Sequence, residues 1–169
     1  MSVSTYRLSV PVFRRGLAAL SLGLTKAEDF AASEGRAPEQ VLGARLAPNM
    51  LPLSSQVQRV SDTSKNSVAR ILGVTPPAMP DEEKSFAELQ ARITRTLDYL
   101  DSVEPAALDA RSTAEVTLKA GRMAANFTAD EYLLQFVLPN FFFHVTTAHG
   151  ILRHLGVAIS KPDYIGAFD

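Results

Sequence analysis

Apolar positions fall into long stretches at helical spacing. Phe13, Leu17, Leu20, Leu24, Ala27 and Ala31 follow one another in steps of four and three, which keeps them on one face of a helix. This first helix is expected to end near Gly35. Pro38 suits the first turn of a second run, continued by Val41, Leu42 and Leu46 until Pro48 and Pro52 interrupt it, because proline has no N–H to donate. Beyond Pro52, the residues Leu53, Val57, Val60, Ser64, Val68 and Ile71 share a face, and Gly73 is the natural stop. These mark the second main helix.

The stretch from Val74 to Lys84 holds Pro76, Pro77 and Pro80, followed by Asp81, Glu82 and Glu83. It reads as an ordered connection, with its acidic end solvated near the positive end of the next helix. Ser85 with Glu88 forms a capping box, after which Phe86, Leu89, Ile93, Leu97, Leu100 and Val103 mark a third amphipathic helix. Between Glu115 and Phe127 the period changes to alternation, and Lys119-Ala120-Gly121-Arg122 can turn the chain. A small hairpin is therefore expected before the last helix. Thr128 and Glu131 open that helix, Pro139 should bend it, and Gly156 should close it. Residues 157–169 show no regular period and read as a tail that packs loosely or meets a partner.

The pattern predicts one mainly α-helical domain over residues 1–169, a four-helix bundle with a small β-hairpin. The chain of 169 residues carries 17 Lys+Arg against 18 Asp+Glu, so no broad basic field is available to hold phosphate backbones, and nucleic acid is not an expected partner. The chain has 0 Cys, which excludes disulfides, a thiolate nucleophile and Cys-ligated metals. No apolar run approaches membrane-spanning length, and no leader pattern is read at the N-terminus; the expected location is cytoplasmic.

Three histidines, His144, His149 and His154, sit on the last helix at steps of five. At about 100° per residue, successive rings are turned by roughly 140°, so they cannot converge on one ion. His144 lies within the apolar face formed by Leu133, Val137, Phe141, Ala148, Ile151 and Leu155 and is expected to be buried. His149 and His154 are expected at the rim or surface. Gln56, at the edge of the second helix's apolar face, and Asn140, one turn before His144, complete a candidate polar pocket inside the bundle. A hydrogen-bonded structural network accounts for the same residues. Among the residues expected inside the bundle only His144 has an ordinary pKa suited to acid–base work near neutrality, so it is the candidate catalytic residue. Phe141, Phe142 and Phe143 cannot all face inward, and an exposed ring suggests a dimer face.

The segments Tyr6 to Gly16, Arg45 to Val57, Lys84 to Arg92 and Tyr132 to Gly156 resemble the bacterial domain-of-unknown-function family numbered nineteen ninety-three, a branch of the DinB/YfiT-like superfamily. The resemblance implies a four-helix bundle, often dimeric. Some relatives bind a divalent metal through three histidines, and others are thiol-dependent transferases or isomerases. In the metal-binding branches one histidine comes from the second helix and two from the last, four residues apart. Here only His144 matches: Ala148 stands four residues later, and the second helix offers Gln56.

The resulting expectation is a homodimer that binds a small molecule among Gln56, Asn140 and His144, with no metal and no cofactor. The alternatives are a structural or interaction dimer without catalysis, and a metal- or thiol-dependent transferase or isomerase.

Overall fold

A computed structural model describes residues 4–120 and 123–166. Helix α1 (Val10–Ser33) is the long central element, and its stripe Phe13, Leu17, Leu20, Leu24, Ala27 and Ala31 is buried as the spacing requires. A single turn, α2 (Pro38–Leu42), precedes α3 (Leu53–Leu72). The second run is thus shorter than its apolar pattern suggested. It stops at Gly43, whose N–H bonds the carbonyl of Glu39, and Leu46 lies exposed beyond it.

Helix α3 buries Val57, Val60, Val68 and Ile71 and ends on Gly73, which adopts the left-handed conformation (φ 74°) that favours glycine. Ser64 and Ser67 are buried on it, but their hydroxyls bond carbonyls of their own helix, so they allow close packing rather than reaching across.

Helix α4 (Phe86–Asp101) opens on the expected box: Ser85 Oγ accepts from the Glu88 N–H, and the Glu88 carboxylate accepts from the Ser85 N–H. One more helical turn, α5 (Pro105–Asp109), leads into the antiparallel hairpin of β1 (Glu115–Ala120) and β2 (Met123–Thr128), with Val116 opposite Phe127 and Leu118 opposite Ala125. Lys119 and Ala120 belong to the strand rather than to the turn; Gly121 and Arg122 lie outside the described residues.

The last long helix comes in three pieces. Helix α6 (Ala129–Tyr132) starts on the Thr128–Glu131 box, a π turn covers Leu133–Val137, and α7 (Leu138–Leu155) ends on Gly156. In the π turn the N–H of Leu138 bonds the carbonyl of Leu133, five residues back. Pro139 follows at once. A proline cannot donate to the carbonyl four residues before it and its ring crowds that carbonyl, so the irregularity falls where the sequence demands one.

Helices α1, α3, α4 and α7 pack around one core, with α7 against α3 and α1. Gly16 and Gly23 bring α1 close to α7: a Cβ on Gly16 would lie 2.5 Å from the Phe141 ring, and one on Gly23 would lie 3.0 Å from Leu152. The C-terminal segment is more ordered than a loose tail. Val157 and Ile159 are buried, and α8 (Lys161–Ile165) docks on α1 through Lys26 and Asp163, 2.7 Å apart. Residues 167–169 of that predicted tail lie outside the described residues.

Candidate functional site

Helices α3 and α7 run antiparallel, which is evident from the side chains that meet between them. His144 Nδ1 lies 2.7 Å from Gln56 Oε1, Asn140 Nδ2 donates to Thr63 Oγ1 at 2.8 Å, and Arg70 donates to the phenol oxygen of Tyr132. These contacts follow a cleft of about 370 Å³ lined from α3 by Arg59, Thr63, Asn66 and Arg70, and from the facing helix by Tyr132, Phe136, Asn140 and His144. Leu118 and Lys119 of β1 form its remaining wall.

Each stripe has a local cause. Positions 59, 63, 66 and 70 follow the four-three-four spacing of one face of a regular helix. Positions 132, 136, 140 and 144 advance by four each time. Over those twelve residues an uninterrupted α-helix, at about 100° per residue, would turn Tyr132 roughly 120° away from His144. The π turn absorbs one extra residue and reduces the difference to about 20°. Tyr132 and Phe136 thereby line the same cleft as Asn140 and His144.

His144 is buried, at 9% exposure, and its ring packs edge-on against Phe143. The Gln56 amide nitrogen donates to the carbonyl of Leu51 at 3.0 Å, which turns the amide oxygen toward His144. An amide oxygen only accepts, so Nδ1 carries the proton and Nε2 holds the lone pair. Among the described residues Nε2 has no hydrogen-bond partner. Burial holds the imidazole below its ordinary pKa, and the positive charge of Arg59 pushes in the same direction. The ring is therefore neutral at pH 7.

Of the three residues singled out from sequence, Gln56 and His144 meet directly. Asn140 lines the same cleft but bonds Thr63 instead. His149 is half-buried against the Tyr164 ring, and His154 is exposed. Arg59, Thr63, Arg70, Tyr132 and Phe136 were not picked out from sequence. The polar stripe on α3 was a legible signal for the first three, whereas the π turn concealed the other two.

The three-histidine metal site of some relatives does not fit these donors. Among the described residues no group of three or more His, Asp or Glu side chains is placed to hold an ion. The carboxylate nearest in kind, Asp62, is already shared by Arg92 at 2.8 Å, Lys65 at 3.1 Å and Arg59 at 3.7 Å, and a neighbouring guanidinium repels a dication. Two other concavities, whose linings include Tyr6, Arg14, Arg15, Asp163 and Tyr164, are lined by no histidine. One of about 390 Å³ lies among Pro11, Val12, Phe142, Val145 and Ile165, and one of about 600 Å³ lies along α1. Among the described residues no helix is long and apolar enough to cross a membrane.

No curated protein matches the chain. Among solved structures it is similar to the crystal structure of a DinB family member protein from Shewanella denitrificans, with 37% sequence identity, a TM-score of 0.89, and coverage of 96% of this chain and 92% of that chain. The family described as "Domain of unknown function (DUF1993)" matches residues 5–165. With its mainly helical bundle and a small two-stranded antiparallel sheet, the chain belongs to that family and has the DinB-like fold.

Proposed function

We propose that this protein binds a small polar molecule in the α3–α7 cleft without a metal ion, with His144 Nε2 accepting a hydrogen bond from the ligand. The observation that carries this reading is the chain Leu51 carbonyl, Gln56 amide, His144 Nδ1. It fixes one tautomer and leaves a lone pair on a ring that lines the cleft. The cleft volume of about 370 Å³ lies within the range of small-molecule sites. A ring held in this way can also take a proton from a bound molecule, but binding requires no such step.

A thermal-shift screen against thiols, divalent cations and common metabolites tests the reading, because a ligand that prefers the folded state raises the melting temperature. The expected result is a metabolite response in the wild type that is lost in His144→Ala while that variant stays folded. A stoichiometric metal in protein purified without an affinity tag, lost in the same variant, would overturn the metal-free reading.

A second reading, an interaction dimer, draws on Phe142 and Phe143, which are 42% and 58% exposed on α7. Exposed aromatic rings side by side are a common interface signal. Sedimentation equilibrium decides it: a dimer that dissociates in Phe143→Ser supports this reading, and a wild-type monomer removes it.

A further inference from the structure

The charge lining the cleft opposes that of the chain. The whole sequence has a formal charge of -1, yet the cleft is lined by Arg59, Arg70 and Lys119 against the one carboxylate of Asp62. Three cations and one anion leave a local excess of two positive charges. The excess is also localised. Arg59 is tied to Asp81 and Asp62, and Asp62 in turn to Arg92 and Lys65, so charge near those groups is matched.

Arg70 and Lys119 differ: among the described residues neither has a carboxylate within ion-pair distance. Arg70 instead lies over the Tyr132 ring, 5.6 Å from its centroid, and donates to the phenol oxygen. That oxygen is thus used as an acceptor, and its own O–H has no acceptor among the described residues. Burial raises the phenol's pKa against the opposing influence of Arg70, so the proton stays on it. The cleft is therefore lined by the remaining guanidinium N–H groups of Arg70 and a phenol O–H, both donors, with the exposed Lys119 at its edge and an apolar wall of Leu118 and Phe136 beside them.

We infer that the cleft selects a small organic anion, a phosphate or carboxylate on an apolar body, whose charged end is held by Arg70, Lys119 and the Tyr132 hydroxyl. This rests on the reading of the cleft as a ligand site, and it adds the class of ligand. Donors without a fixed anionic partner suit an incoming anion because no internal ion pair must first be broken.

Isothermal calorimetry with phenyl phosphate, benzoate and uncharged benzamide tests the inference. Phenyl phosphate or benzoate should bind, more weakly at higher salt, and benzamide should not; whichever anion binds tighter identifies the headgroup. Lys119 is exposed, so Lys119→Gln leaves the fold intact and should weaken binding about threefold. Arg70→Gln should weaken it about tenfold or more, with Arg70→Lys recovering part of the loss. Equal binding of benzamide, absence of binding by both anions at millimolar concentration, or unchanged affinity in Lys119→Gln together with Arg70→Gln would each overturn the inference. His144→Gln separates the two proposals. Anion binding that falls in the Lys119 variant but not in the His144 variant keeps this inference and removes the role given to His144; the reverse pattern removes this inference alone.

Discussion

The imidazole of His144 and the amide of Gln56 meet at 2.7 Å, eighty-eight positions apart in the chain, and the amide's other end is fixed by Leu51. One backbone carbonyl thus determines which ring nitrogen carries the proton. Nitrogen-detected NMR of labelled protein should find Nδ1 protonated and Nε2 bare at neutral pH. Gln56→Leu should yield a mixture of tautomers and cost about 1–2 kcal/mol, since it leaves a buried donor without its acceptor.

The same ring sets a pH dependence. Its folded pKa is lowered, chiefly by burial, so between that value and the ordinary one near 6.5 the unfolded chain binds the proton that the folded chain refuses. The ring's contribution to stability is complete above the ordinary value. It falls as pH drops through that window and levels off below the folded pKa. Urea melts of wild type and His144→Gln from pH 7.5 to 5 should converge as pH falls; parallel curves would refute the assignment.

Gly16 is a packing requirement of the α1–α7 contact. An alanine there puts its Cβ 2.5 Å from Phe141, a ring that is fully buried with its centroid 5.0 Å from that of Phe13. Alanine is the better helix former by about 1 kcal/mol, but crowding a closed core costs about 1–3 kcal/mol, and the core should win. Gly16→Ala should therefore lower the denaturant midpoint. Gly23→Ala, with 3.0 Å to the flexible end of Leu152, should have a smaller effect.

Arg92 is fully buried and holds the 74–84 connection to the bundle. Its guanidinium reaches Asp62 at 2.8 Å, Glu83 at 2.9 Å, Asp81 at 3.0 Å and the carbonyl of Pro80 at 3.1 Å. Arg92→Met should cost about 3–5 kcal/mol, because it strands carboxylates without their cation. Burial pushes the Glu83 carboxyl up, but hydrogen bonds from Gln58 and Arg92 outweigh it and hold the group below the usual carboxylate range. Its contribution is present at neutral pH and is lost as pH falls through that lowered value, so the gap between wild type and Arg92→Met should narrow in acid.

The π turn admits a direct test by deletion. Removing Leu134, which is exposed, takes away the extra residue that the turn absorbs, so residues 129–155 should wind as a plain α-helix that keeps Tyr132 within about 20° of His144. Helicity by circular dichroism and the ring-current shift of the Arg70 guanidinium protons over Tyr132 should both persist. Loss of that shift would show that the turn does more than absorb one extra residue.

Most of the frame was legible because its signals are local. The α1 stripe, the Ser85–Glu88 and Thr128–Glu131 boxes and the stops at Gly73 and Gly156 depend on residues within a turn or two of each other, and each is where the spacing put it. Gln56 and His144 were legible as polar positions at the core because the apolar residues around them fixed their faces. Arg70 was legible only as part of the polar stripe on α3, and Tyr132 not at all. Their contact spans sixty-two positions, and a constant 100° step assigns Tyr132 to the wrong side of its helix. The single turns α5 and α8 were missed because one turn has too few residues to show a period.

The hairpin is the one wall of the cleft that does not come from the long helices. On β1 the side chains of Val116 and Leu118 are buried, while Thr117 and Lys119, which alternate with them, are exposed, Lys119 at the edge of the cleft. Length and charge beyond that anchor can change at little cost to folding. A graft of another relative's hairpin onto this bundle would thus exchange the entrance to the cleft while keeping its floor, separating what the protein admits from what keeps it folded.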